Sequence, residues 1–160
     1  MTLNSEWNDI AGFFILSLQF DLISREAAVV WADSEIAFSR IPEIELVNIS
    51  LSSLQPIEGL MHALAALSPR RTAASFRMFG ALLRFYVLTG SMSEPRAAGL
   101  LYAVSRFDGA TIGLGDEIYW IDELFDEQLH DATESPQRLR AFLEKFADVA
   151  LPSSVLRPIS

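Results

Sequence analysis

Apolar residues recur with a helical period almost from one end of this chain to the other, which leaves little room for a sheet. Trp7, Ile10, Phe14 and Leu18 mark a first helix that starts near Asn4 or Ser5. Val29, Val30, Ala32 and Ile36 mark a second, which ends before Pro42. It opens at Ser24, whose hydroxyl is placed to accept from the amides of Glu26 and Ala27. Pro56 opens a helix over 57–67, and Ser68 and Pro69 stop it. The longest helix runs from about Arg71 to Thr89 and terminates at Gly90. Phe76, Phe79, Leu83 and Tyr86 form its centre line, and Met78, Leu82 and Phe85 widen it. So broad an apolar arc belongs to a helix with neighbours on more than one side. Glu94 and Pro95 start the next, through Leu100, Leu101 and Val104 to Phe107. An acidic helix follows over 115–130, and Ser135 and Pro136 start the last, over 137–150, with Leu139, Phe142, Leu143 and Phe146 inward. Only 43–51 is ambiguous between a short helix or turn and a strand; as a helix it sets Ile44, Val47 and Leu51 on one face. The expected fold is all-α, a single-domain irregular bundle of about six to seven helices over 1–160, with 151–160 an extended tail.

Composition removes several function classes. A chain of 160 residues, 51% of them hydrophobic, is long enough to bury a stable core without a metal or a disulfide. It has no cysteine, so disulfides, thiolate zinc sites, iron–sulfur clusters and a cysteine nucleophile are all excluded. The apolar run from Ile10 to Leu18 is too short to cross a bilayer, and Glu6 and Asp9 stand where a signal peptide carries basic residues. A cytoplasmic protein with no membrane partner is expected. Eleven arginines against one lysine, with abundant alanine, fit a GC-rich bacterial genome. Two histidines and no Gly-x-Ser-x-Gly leave little material for acid–base or nucleophilic chemistry, so neither an enzyme nor a cofactor is expected.

Charge is the second constraint. The formal net charge is −9, and the stretch from Asp108 to Glu134 holds nine acidic side chains and no basic one. The rest nearly cancels: −7 up to Glu58, +5 from Gly59 to Phe107, and +2 after Glu134. With a pI near 4.6 the chain repels phosphate, so no nucleic-acid partner is expected. A concentrated acidic patch instead favours a basic protein.

Wound at about 100° per residue, the acidic helix divides into two faces. Ile118, Ile121, Phe125 and Leu129 form an apolar anchor, extended by Leu124 and Trp120. Opposite lie Asp116, Tyr119, Glu123, Asp126, Glu127 and His130, with Trp120 at the border. The plain alternative is a solvated outer face. Against it, no lysine or arginine stands one turn away to relieve the repulsion, and aromatic residues beside the charges are typical of binding hot spots. Glu127 and His130 also match the Glu-x-x-His pair of bundle metal sites, but no second such pair exists: the position three before His62 is Gly59, and Glu58 stands four before it.

Other constellations are weaker. Arg70, Arg77 and Arg84 recur every seven residues along the longest helix. They form an anion site or, more simply, pair with the acidic helix or with the Glu43–Glu45 region. The segment from Asp108 to Asp116 holds three glycines before a helix but lacks the Lys-Ser/Thr of a phosphate loop, and carboxylates flank it. Trp31 and Asp33 make a pocket pair or, more commonly, a core tryptophan beside an exposed or paired aspartate.

Val30-Trp31-Ala32-Asp33, the segment from Ile44 to Leu51, and Ile118-Tyr119-Trp120-Ile121-Asp122 give the region from Ser24 to Phe146 a layout that resembles small acidic all-helical immunity proteins of bacterial polymorphic-toxin systems. That resemblance implies a single-domain protein that covers or plugs the active site of a toxin, often a basic nuclease. The functional expectation is a non-enzymatic interaction module. Two alternatives stand beside it: a bundle-type carboxylate–histidine metalloprotein, and an acidic subunit of a larger assembly.

Overall fold

A computed structural model describes residues 5–106, 114–126 and 134–156. Among them every regular element is helical: eight α-helices and two short 3-10 turns, with no strand. The helices are α1 (Ser5–Gln19), α2 (Arg25–Phe38), α3 (Ile44–Leu51), α4 (Ile57–Leu67), α5 (Ala73–Leu88), α6 (Glu94–Ser105), α7 (Gly115–Asp126) and α8 (Glu134–Leu143). The count exceeds the expected six to seven because the ambiguous segment is a helix in its own right, α3. The chain forms two compact units, one from Met1–Arg71 with Leu151–Ser160, the other from Thr72–Ala150.

In the first unit α1 packs on α4, and α3 lies against α2 and α4. The residues from Ala11 to Leu18 are all buried, beyond the single face that the sequence pattern marks. A helix apolar around its whole circumference is one covered on every side. Phe14 meets Trp31 of α2 at 5.5 Å between ring centroids. The Trp7 indole N–H donates to Glu35 at 2.9 Å and fastens the start of α1 to α2. Helices α2 and α3 run antiparallel: Arg25 at the start of α2 donates to the carbonyl of Gln55, and the Ser50 hydroxyl donates to Asp33. Ser24 does hold the N-cap position of α2, but its side chain makes no capping bond; its carbonyl accepts from the Ala27 amide at 3.1 Å. Residues 152–156 make a turn in which the Val155 amide donates to Pro152.

The buried face of α3 is not the expected one. Leu46 and Ile49 are buried, while Ile44 and Leu51 face outward. The three residues Ile44, Val47 and Leu51 do share a side of the helix. However, Leu46 and Ile49 define a second apolar side, and periodicity alone does not rank two apolar sides of one short helix.

Helix α1 ends in a Schellman motif. The Asp21 amide donates to Leu18 at 3.1 Å and the Leu22 amide to Ser17 at 2.9 Å. Asp21 therefore takes a left-handed conformation, φ +54°, where a side chain other than glycine is strained. Helix α5 ends the same way with the favoured residue: Gly90 at φ +76°, its amide donating to Val87, and the Ser91 amide donating to Tyr86. Asp21→Gly should accordingly raise the unfolding free energy by about 0.5–1 kcal/mol. Urea denaturation of both proteins measures it; a fall in stability would mean that the Asp21 side chain more than compensates for its backbone strain.

The second unit is built on α5, with α6 and α8 against it and α7 against α6 and α8. Thr72 caps α5, its hydroxyl oxygen accepting from the Ser75 amide at 3.1 Å. Helix α5 begins at Ala73, so Arg70 and Arg71 precede the helix and the seven-residue arginine stripe loses its first member. Phe76, Phe79, Leu82 and Leu83 are buried as expected, whereas Phe85 at the far end is part exposed. Helix α8 stops at Leu143 and tightens into a 3-10 turn over 144–146, short of the expected end at 150. Leu139, Phe142, Leu143 and Phe146 all point inward as expected.

Candidate functional site

The carboxylate-bearing helix α7 is anchored by Ile118 and Ile121, both buried. Its outer side carries Asp116, Glu117, Tyr119 and Trp120, all exposed, with Glu123 half exposed. Asp126 ends the helix. Glu127 and His130 lie outside the described residues, and with them the metal-ligand pair; among the described residues no three His, Asp or Glu side chains stand together as a metal ion requires. Of the glycine-rich segment from Asp108 to Asp116, residues 108–113 lie outside them too, and Gly115 and Asp116 begin α7.

The structure corrects the place of Trp120. It does not extend the apolar anchor: 64% of it is exposed, against 43% for Tyr119. The two rings meet edge to face at 5.6 Å, and Tyr119 rests at 6.2 Å from Tyr102 of α6. Arg106 closes the row, its guanidinium 5.7 Å from the Tyr102 ring and donating to the Tyr102 hydroxyl at 3.3 Å. The exposed indole is thus backed by a fixed aromatic rail.

Trp120 also forms one wall of a groove of about 540 Å³ between α7 and α8. Ile121, Ala141 and Phe142 supply apolar lining, and Glu117, Arg138 and Lys145 supply charge. Lys145 donates to Glu117 at 2.8 Å and stands 5.5 Å from the Phe142 ring. Glu117, which the helical wheel leaves off the expected acidic face, is thus held by a lysine from across the groove. The sequence reading missed Arg138, Phe142 and Lys145 as site residues. Their spacing of four and seven puts them on one side of α8 and of the 3-10 turn that follows it, but nothing in that spacing says which helix they face.

Three further arginines are held within the second unit. Arg84 holds Glu144 through two guanidinium nitrogens, at 3.2 and 3.4 Å. Arg77 donates to the Lys145 carbonyl at 3.4 Å and lies over the Phe146 ring. The partners that Arg77 and Arg84 meet among the described residues are thus at the C-terminal turn of the second unit. Arg140 donates to Glu94 at 2.6 Å, and that bond holds the Glu94 carboxyl below its ordinary range. Burial pushes the Tyr86 phenol up. In the first unit Trp31 is buried in the core and Asp33 is bonded to Ser50, so the two do not make a pocket.

Among the described residues no helix is long and apolar enough to cross a membrane. No family model, curated protein or solved structure matches the chain.

Proposed function

We propose that this is a non-enzymatic, cytoplasmic interaction module that holds a basic protein on α7, in the manner of an immunity protein neutralising a toxin. The observation that carries the reading is the exposed Trp120, fixed against Tyr119 and set among Asp116, Glu117 and Glu123. A solvated outer face has no use for a rigid indole; a surface for arginine-rich partners does. Guanidinium groups stack on indole faces and pair with carboxylates, and burial at an interface strengthens both contacts.

The test is calorimetric titration with a poly-arginine peptide, and with any basic protein domain that proves to be encoded beside this gene. Affinity should fall as salt rises from about 50 to about 300 mM, because the exposed carboxylates are progressively screened. Reversing two of them in Asp116→Lys/Glu123→Lys should weaken binding by roughly tenfold or more and flatten the salt dependence. Affinity that is flat in salt and unmoved by the double reversal would remove this face from the function.

A further inference from the structure

Helix α3 is apolar on its outward side as well as its inward one. Ile44 and Leu51, seven residues apart, stand within about 20° of each other around the helix. They point away from the buried Leu46 and Ile49 and are 63% and 64% exposed. Val47 flanks them. Further exposed apolar side chains flank α3 along the chain. Phe38 and Ile41, 91% and 87% exposed, lie on its N-terminal side, and Leu54, 97% exposed, lies in the 3-10 turn that follows. These five side chains present on the order of 700 Å² of apolar surface, more than a monomer ordinarily leaves open. It is close to the ~800 Å² that each partner brings to a stable interface.

We infer that this stripe is a self-association surface, on which two copies of the chain pair α3 against α3 in antiparallel two-fold register. The midpoint between Ile44 and Leu51 falls at Val47 and Asn48. A two-fold axis there sets Ile44 of each copy against Leu51 of the other, and Phe38 with Ile41 against Leu54. The stripe is self-complementary, as a closed isologous dimer demands. Charge favours the antiparallel direction. Glu43 and Glu45 sit at the N-terminal end of α3; at the C-terminal end Ser52 is buried and the Ser50 hydroxyl donates to Asp33. Parallel pairing gathers four glutamates at one end, whereas antiparallel pairing separates them into two pairs.

Sedimentation velocity of the full chain from about 1 to about 200 µM tests this. The expected result is a concentration-dependent rise to twice the 17.8 kDa chain mass. Ile44→Glu and Leu54→Glu should each weaken dimerisation at least tenfold and leave the helical circular dichroism unchanged. Should Ile44→Glu disturb the fold, Leu54→Glu serves alone, since that side chain has no packing to lose. The register has its own test: I44K and L51E should each dissociate the dimer, and the two together should restore it by placing unlike charges face to face. A protein that stays monomeric throughout would overturn the inference. So would a dimer indifferent to both glutamates, or one that dissolves on Trp120→Ala instead. Failure of the double variant to recover would overturn the antiparallel register.

Discussion

Replacing Phe146 with alanine should lower the unfolding free energy by about 3–5 kcal/mol, and in that background Gly80→Ala should change from destabilising to stabilising. Phe146 is 1% exposed. Its ring stands edge-on to Phe76 at 6.1 Å and to Phe142 at 5.5 Å. It rests directly on Gly80, where an added Cβ would lie 2.6 Å from two ring carbons. Neither the ring nor the helix has free space to retreat into. Gly80→Ala alone gains the helix propensity of alanine, about 1 kcal/mol, and loses more to overpacking, for a net cost of about 1–2 kcal/mol. Once the ring is gone the new methyl group partly fills the cavity, and only the gain remains. Urea unfolding of the four proteins in the cycle measures the coupling. Gly99→Ala is the comparator, because a Cβ there meets nothing within 4 Å; it should stabilise α6 by up to about 1 kcal/mol in either background. A Gly80→Ala effect of the same size in both backgrounds would mean that Phe146 does not set the close approach.

Trp120→Ala should weaken binding of the basic partner by about 2–4 kcal/mol, roughly thirtyfold to a thousandfold. The reasoning is geometric as well as electrostatic. Tyr119, itself against Tyr102, meets the indole edge to face, which reduces the rotamer freedom left to lose on binding. One side of it borders the groove over Ile121 and Phe142, where an arriving side chain displaces water from apolar surface. The variant should keep its stability within about 0.5–1 kcal/mol, because most of the side chain is already in solvent. Calorimetric titration paired with a thermal melt separates the two effects. A normal melt with affinity within threefold of the parent would reduce the aromatic pair to surface decoration.

The sequence carried the helical class and most of the boundaries, because punctuation and periodicity are local. Gly90 stops α5 through a left-handed turn that only local chemistry decides. The inward residues of α8 follow from spacing alone. What escaped the sequence is choice among equivalent faces. Helix α3 has two apolar sides, and only its antiparallel packing on α2 decides which is buried. Arg84 had several carboxylates within plausible reach; Glu144, sixty residues away along the chain, becomes its partner only when α5 and the C-terminal turn meet. Trp120 reads as part of an apolar arc on a helical wheel. The wheel does not say how wide the neighbour is: with α6 and α8 packed on α7, Ile118 and Ile121 are buried and the indole stays mostly exposed.

The division of the chain bears on the order of its synthesis. The first unit is discontinuous, drawing on the residues up to Arg71 and again on those from Leu151, whereas the second is one uninterrupted stretch. As the polypeptide leaves the ribosome, the second unit's sequence is complete while the first still lacks its closing segment. Helices α1 to α4 therefore stay without the contacts of the segment from Leu151 until the second unit has left the ribosome.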